Sequence, residues 1–174
     1  MYFTLSFLSK FFQFLPRKLA LALGRYLGSF IYYVYPRRKS IAMKNLEIAF
    51  PEYDIIKKMA ILKSSYRHYG MVLVDFLRLP KVKREKDKIV VDVSANSIDL
   101  LKSNSGGIIL TGHIGNWEYI GPMLSIHNIK SVGVAVIQKN SQSDRFFNKL
   151  RTSDNMKVVP VNCGSKVMIQ HIMD

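Results

Sequence analysis

Apolar residues in the first half of the chain recur at helical spacing. Within FTLSFLSKFFQFL (3–15), Phe7, Leu8, Phe11, Phe12 and Leu15 fall three and four apart, and Pro16 closes the run. LALALGRYLGSFIYYVY (19–35) is almost continuously apolar. Only Arg25 interrupts it, and Arg17-Lys18 and Pro36-Arg37-Arg38-Lys39 flank it. From 55 to 79, Met59, Leu62, Tyr66, Tyr69, Leu73, Phe76 and Leu77 repeat at threes and fours. This predicts a long amphipathic helix ended by Pro80. KVKREKDK (81–88) then reads as a solvated, charged linker.

Beyond the linker the period shortens. Residues 89–93 (IVVDV), 108–110 (IIL), 132–137 and 158–161 read as strands, with 108–110 buried. Residues 97–102, 116–127 and 143–151 read as helices between them, and a last helix opens near Ser165. Such alternation predicts an α/β fold, a largely parallel sheet with flanking helices. The chain therefore divides into a membrane-associated helical segment (1–39), a helical region with the charged linker (40–88) and an α/β core (89–174).

Composition narrows the class. Of 174 residues 48% are hydrophobic and 22% charged, which fits neither a disordered chain nor a polytopic membrane protein. The one cysteine, Cys163, excludes an internal disulfide and a cysteine metal cluster, and reads as a small residue after a strand. Net charge is +14, and residues 1–88 carry 18 basic against 6 acidic residues, hence +12 of it. That excess favours an anionic partner. The cations lie among aliphatic and aromatic residues without a nucleic-acid-binding pattern, so an anionic membrane surface is favoured over nucleic acid. The run 19–35 is slightly short of the roughly 20 apolar residues that span a bilayer, so spanning and interfacial placements both remain open. A buried helical hairpin of a soluble protein and a cleaved targeting peptide stand beside them as alternatives.

Candidate chemistry concentrates in TGHIGNWE (111–118). His113 and Glu118 are five residues apart, about 500° along a regular helix, so the pair does not converge on one. It converges if His113 lies in a turn after a strand and Glu118 in the first turn of a helix. Gly112 and Gly115 permit that turn, and Asn116 is a suitable N-cap. A carboxylate beside an imidazole fixes its tautomer and stabilises the imidazolium, which makes His113 a general base. Thr111 and Ser125 lack a nucleophile-elbow pattern, so the attacking hydroxyl is expected to come from a substrate. The chemistry expected is acyl transfer from an activated ester, with backbone N–H groups or a cation on the oxyanion. No metal is expected, because no further His, Cys or carboxylate stands nearby at ligand spacing.

TGHIGNWE resembles the signature block of the late lipid A acyltransferases, the lauroyl and myristoyl transferases of lipopolysaccharide biosynthesis. Their catalytic motif is His-x4-Glu/Asp followed by a helix. RRKSIAMKNLEIAFPE (37–52) is similar to a second family block, and QKNSQSDRFFNKLRTSDNMKVVP (138–160) to a third. The resemblance implies a glycerolipid-acyltransferase-like core, His113 as base and Glu118 as its partner. Asn116 and Trp117 fill the motif's interior as substrate-binding residues, and Arg151 contacts an anionic substrate or the oxyanion. Asp144 also matches, although helix N-capping explains it equally well. The implied donor is an acyl carrier protein, the acceptor a lipid A precursor, and the location the cytoplasmic face of the inner membrane, with no cofactor. Family members continue past this chain's end, so a core incomplete at its C-terminus is expected. A related membrane glycolipid or glycerolipid acyltransferase, and an inactive truncated remnant, are the alternative readings.

Overall fold

The computed structural model describes residues 1–85, 95–103, 107–152 and 155–173. These residues form nine helices, α1 (Tyr2–Phe14), α2 (Arg17–Val34), α3 (Pro36–Ala49), α4 (Ile55–Leu77), α5 (Leu79–Arg84), α6 (Ala95–Ser103), α7 (Ile120–Ile126), α8 (Ser141–Arg151) and α9 (Ser165–Met173). Two strands, β1 (Ser131–Ala135) and β2 (Met156–Pro160), lie on either side of α8 in the chain. The fold divides into two compact units, 11–77 and 1–10 with 78–174.

The first unit is built on the α2–α4 hairpin. Ala20, Gly24, Gly28 and Tyr32 are the buried residues of α2, spaced by four and hence on one helix face. A Cβ added to Gly24 would lie 2.6 Å from the Gly70 carbonyl oxygen, and one added to Gly28 2.1 Å from that of Tyr66. Glycines separated by three residues let two helix backbones approach where any larger side chain would collide. The pairs Gly24–Gly70 and Gly28–Tyr66 run in opposite order along the two helices, so the hairpin is antiparallel. At its end Arg17 clasps Asp75 through two hydrogen bonds, 3.2 Å from Nε to Oδ1 and 2.9 Å from Nη2 to Oδ2. Away from α4 the hairpin is apolar and open: Tyr26, Phe30 and Tyr33 of α2 are 72%, 62% and 64% exposed. No helix among the described residues is long and apolar enough to cross a membrane.

In the second unit β1 and β2 pair in parallel, with Ser131 opposite Met156 and Ala135 opposite Pro160. α8 is the crossover a parallel pair requires. α7 packs on both strands, and Met156 fills the contact. A Cβ on Gly121 would lie 1.8 Å from Met156 Sδ and one on Gly133 2.9 Å from its Cε. The first turn of α1 docks on α8. The Tyr2 backbone N–H donates to Gln142 Oε1 (3.2 Å), and its ring meets Phe146 edge-on (6.0 Å).

Three expectations change. Residues 108–110 are irregular, and Ile108 and Leu110 are 97% and 96% exposed, so the expected buried strand is absent. Three apolar residues carry no periodicity, and a strand needs a ladder partner, which no described residue supplies here. The described residues accordingly hold a two-stranded sheet and are mostly helical, whereas a larger parallel sheet was expected. The predicted strand at 89–93 lies outside the described residues. Third, Pro80 starts a helix as well as following one, and turns the first half of the charged linker into α5. Proline is tolerated in a first turn, where its missing N–H has no intrahelical partner to lose.

Candidate active site

Residues 111–116 form a turn before a helical start, without the strand expected to precede it. Gly115 adopts a left-handed φ of +61°, which an L side chain rarely takes. Asn116 then caps the helical start through Oδ1, which accepts from the Glu118 N–H at 3.3 Å. What it caps is one 3-10 turn, Trp117–Tyr119, from which α7 continues. His113 projects from the turn, exposed to solvent, with its ring 4.4 Å from that of Trp117. The histidine and the tryptophan of the motif are thus in contact.

Glu118 is paired with a different residue. Both its oxygens accept from Arg151 at the end of α8, at 2.8 Å from Nε and 2.6 Å from Nη2. The two side chains are largely covered, 11% exposed for Glu118 and 21% for Arg151. The bond to Glu118 raises the Arg151 guanidinium further above its ordinary range, against the effect of burial. The charges of Glu118 and Asp144 add to the rise. A two-pronged arginine–carboxylate contact fixes orientation as well as charge. In this arrangement Glu118 is held by Arg151, and no hydrogen bond joins it to His113. Each carboxylate oxygen keeps a further lone pair after accepting from Arg151, so Glu118 retains the capacity to accept from an imidazole N–H.

α8 is secured at both ends. Asn140 Oδ1 accepts from the Ser143 N–H at 3.0 Å. Asp144 accepts from the Gln138 backbone N–H (2.8 Å) and from Asn148 Nδ2 (2.9 Å), which ties the loop after β1 to the helix. At the C-terminus Lys83 Nζ donates to the carbonyls of Leu150 (2.7 Å) and Thr152 (2.8 Å), the two residues flanking Arg151. A cation there satisfies helix-end carbonyls and opposes the negative end of the dipole. Lys83 was read from sequence as part of a solvated linker. Only its position between Pro80 and the next charged residues hinted at a helix, and nothing local indicated a partner 67 residues away.

Of the sequence-selected residues, the structure brings together Glu118 with Arg151, His113 with Trp117, and Asn116 with the Glu118 backbone. The Asn116 Nδ2 is buried and has no hydrogen-bond partner. The family model described as bacterial lipid A biosynthesis acyltransferase matches residues 1–174. No curated protein and no solved structure matches the chain. With the motif block, its turn geometry and the family match in agreement, the chain belongs to the bacterial lipid A biosynthesis acyltransferases.

Proposed function

We propose that the chain transfers a fatty acyl group from acyl carrier protein to a hydroxyl of a lipid A precursor at the cytoplasmic face of the inner membrane. His113 removes the proton from the acceptor hydroxyl, and the alkoxide attacks the thioester carbonyl. The new C–O bond forms as the C–S bond breaks, and the proton returns from the imidazolium to the departing thiolate. Glu118, oriented by Arg151, stabilises the imidazolium. Asn116 Nδ2, which has spent no donor on the protein, is assigned to the substrate, with Trp117 beside it. The family gives the acyl transfer in lipid A synthesis. The observation that carries the residue roles is an exposed imidazole on a left-handed glycine turn, five residues from a carboxylate held rigidly at both oxygens.

Membrane attachment is part of the same reading. Residues 1–39 would lie on an anionic bilayer surface, where apolar burial and cation–phosphate attraction act together. The exposed Phe3, Phe7 and Phe14 of α1 support it. The test of the chemistry is His113→Ala, assayed with labelled acyl carrier protein and a lipid A precursor. Turnover should fall about 100- to 10,000-fold, the contribution of a general base, with acceptor binding little changed. Near-normal turnover would remove His113 from the mechanism.

A further inference from the structure

The C-terminal end of α2 holds a second group of polar side chains for which acyl transfer gives no role. Lys63 Nζ of α4 donates to the Tyr33 hydroxyl at 2.7 Å, and Lys39 of α3 lies 4.0 Å from the centre of the Tyr32 ring. Arg67, one turn on from Lys63, donates from Nε to Ser29 Oγ at 3.0 Å. Lys39, Lys63 and Arg67 are each half-buried, and none meets a carboxylate among the described residues. Like charges gathered without a counter-charge repel, and partial burial deprives them of some of the water that would screen them. The protein keeps them together on hydroxyls and aromatic faces instead. The bond from Lys63 and the charges of Lys63, Arg67 and Lys39 hold the exposed Tyr33 hydroxyl below the usual tyrosine range, so their combined field reaches solvent there.

What lies beside the cluster decides the class of anion. Tyr26, Phe30 and Tyr33 are four and three residues apart and share one exposed face of α2, so an aromatic stripe ends at the cations. A soluble phosphate has no use for such a stripe. A lipid does, because its phosphate sits at the depth where tyrosine hydroxyls and lysines gather and its chains lie below. We propose that Lys39, Lys63 and Arg67, with the Tyr33 hydroxyl donating, form a site for the phosphate of an anionic lipid headgroup, with Tyr26 and Phe30 against its acyl chains. This site rests on the membrane reading above and gives it a defined place in the hairpin.

The full chain would be sedimented with vesicles of phosphatidylcholine alone and of phosphatidylcholine containing phosphatidylglycerol. The comparison takes wild type, Lys39→Ala/Lys63→Ala and the triple variant with Arg67→Ala, and far-ultraviolet circular dichroism checks the fold. The double variant guards against loss of the hairpin, since it leaves the Arg67–Ser29 bond in place. Affinity for the anionic vesicles should fall about fivefold per cation removed. Residual binding to neutral vesicles should be unaffected. A control removing three exposed lysines elsewhere, Lys102, Lys157 and Lys166, should change little. Equal losses in the control and the triple variant would reduce the effect to net charge and overturn the site. Displacement from the vesicles by millimolar inorganic phosphate, at ionic strength matched with chloride, would overturn the assignment to a lipid. Wild type that binds neither vesicle would defeat the membrane reading itself, whereas wild type that binds with no loss in the variants would defeat only this site.

Discussion

The helical hairpin and the α/β unit each contain an arginine–carboxylate clasp, and the two are built differently. In the hairpin Asp75 is 5% exposed while Arg17 is 60% exposed, so one partner is buried and the other stays in water. In the α/β unit both Glu118 and Arg151 are largely covered. The hairpin's clasp closes the end of two helices already locked by close glycine contacts. The other joins a motif turn to the end of α8, and its carboxylate stands in the segment that also carries His113. An arginine–carboxylate contact thus fastens two helices in one place, and in the other it holds the carboxylate proposed as the partner of His113. A change that affects stability in the first unit should affect turnover in the second.

The largest expected effect follows from Glu118→Gln. If Glu118 serves only to anchor Arg151, the amide breaks a largely covered ion pair, costs up to about 3–5 kcal/mol, and activity follows the folded fraction. If Glu118 is the partner of His113, the amide should, beyond that loss of stability, lower acyl transfer per folded molecule at least about 100-fold. A carboxylate-to-amide change in a serine protease triad costs about 10,000-fold. Glu118→Asp should retain more activity than the amide, since it keeps the charge and loses reach. Melting temperature and transfer rate would be measured on the same preparations, and a glutamine variant active in its folded fraction would reduce Glu118 to an anchor for Arg151.

Next in size is the contrast between the two kinds of glycine contact. At Gly28 the obstacle to a side chain is the Tyr66 backbone carbonyl, which cannot move without the helix. Gly28→Ala should destabilise the chain by about 1–3 kcal/mol, the usual scale of overpacking. At Gly121 the obstacle is the far end of the Met156 side chain, which has other rotamers. There the loss should be smaller, because alanine also gains about 1 kcal/mol of helix propensity in α7. Chemical denaturation of the two variants measures the difference. Equal losses would mean that Met156 is as immovable as backbone.

The helices were legible because their apolar residues repeat over three or more turns, and α1, α2, α4 and α8 fall within a few residues of their expected bounds. β1 and β2 were legible from β-branched runs long enough to read. Residues 108–110 were not, because a run of three shows no period and its fate depends on a partner strand. The approach of α2 to α4 was written in the sequence as Gly24 and Gly28, four apart, but a reading of 19–35 as one apolar run passes over that spacing. At the candidate site the turn followed from Gly115 and Asn116, both local. The partner of Glu118 did not, since Arg151 is 33 residues away and nothing in either segment names the other. The resemblance assigned Arg151 to an anionic substrate or the oxyanion, and in the fold its guanidinium meets the Glu118 carboxylate.

The smallest effect concerns Lys83, which tests how far the orienting role of the second clasp extends. Its ammonium holds the carbonyls on either side of Arg151 and so fixes the base of the side chain that holds Glu118. Lys83→Ala should cost about 0.3–1 kcal/mol of stability, the scale of a cation at a helix C-terminus. It should also lower turnover a few-fold, because Arg151 gains freedom without losing its charge. Lys83→Arg should restore stability better than turnover, since a guanidinium fork does not place its donors as an ammonium does. The decisive measurement repeats Lys83→Ala in an Arg151→Ala background. Two residues acting through one contact are not additive, so the second substitution should leave turnover where the first put it. Independent losses would instead make Lys83 a stabiliser of α8 alone, and the orienting chain would then begin at Arg151.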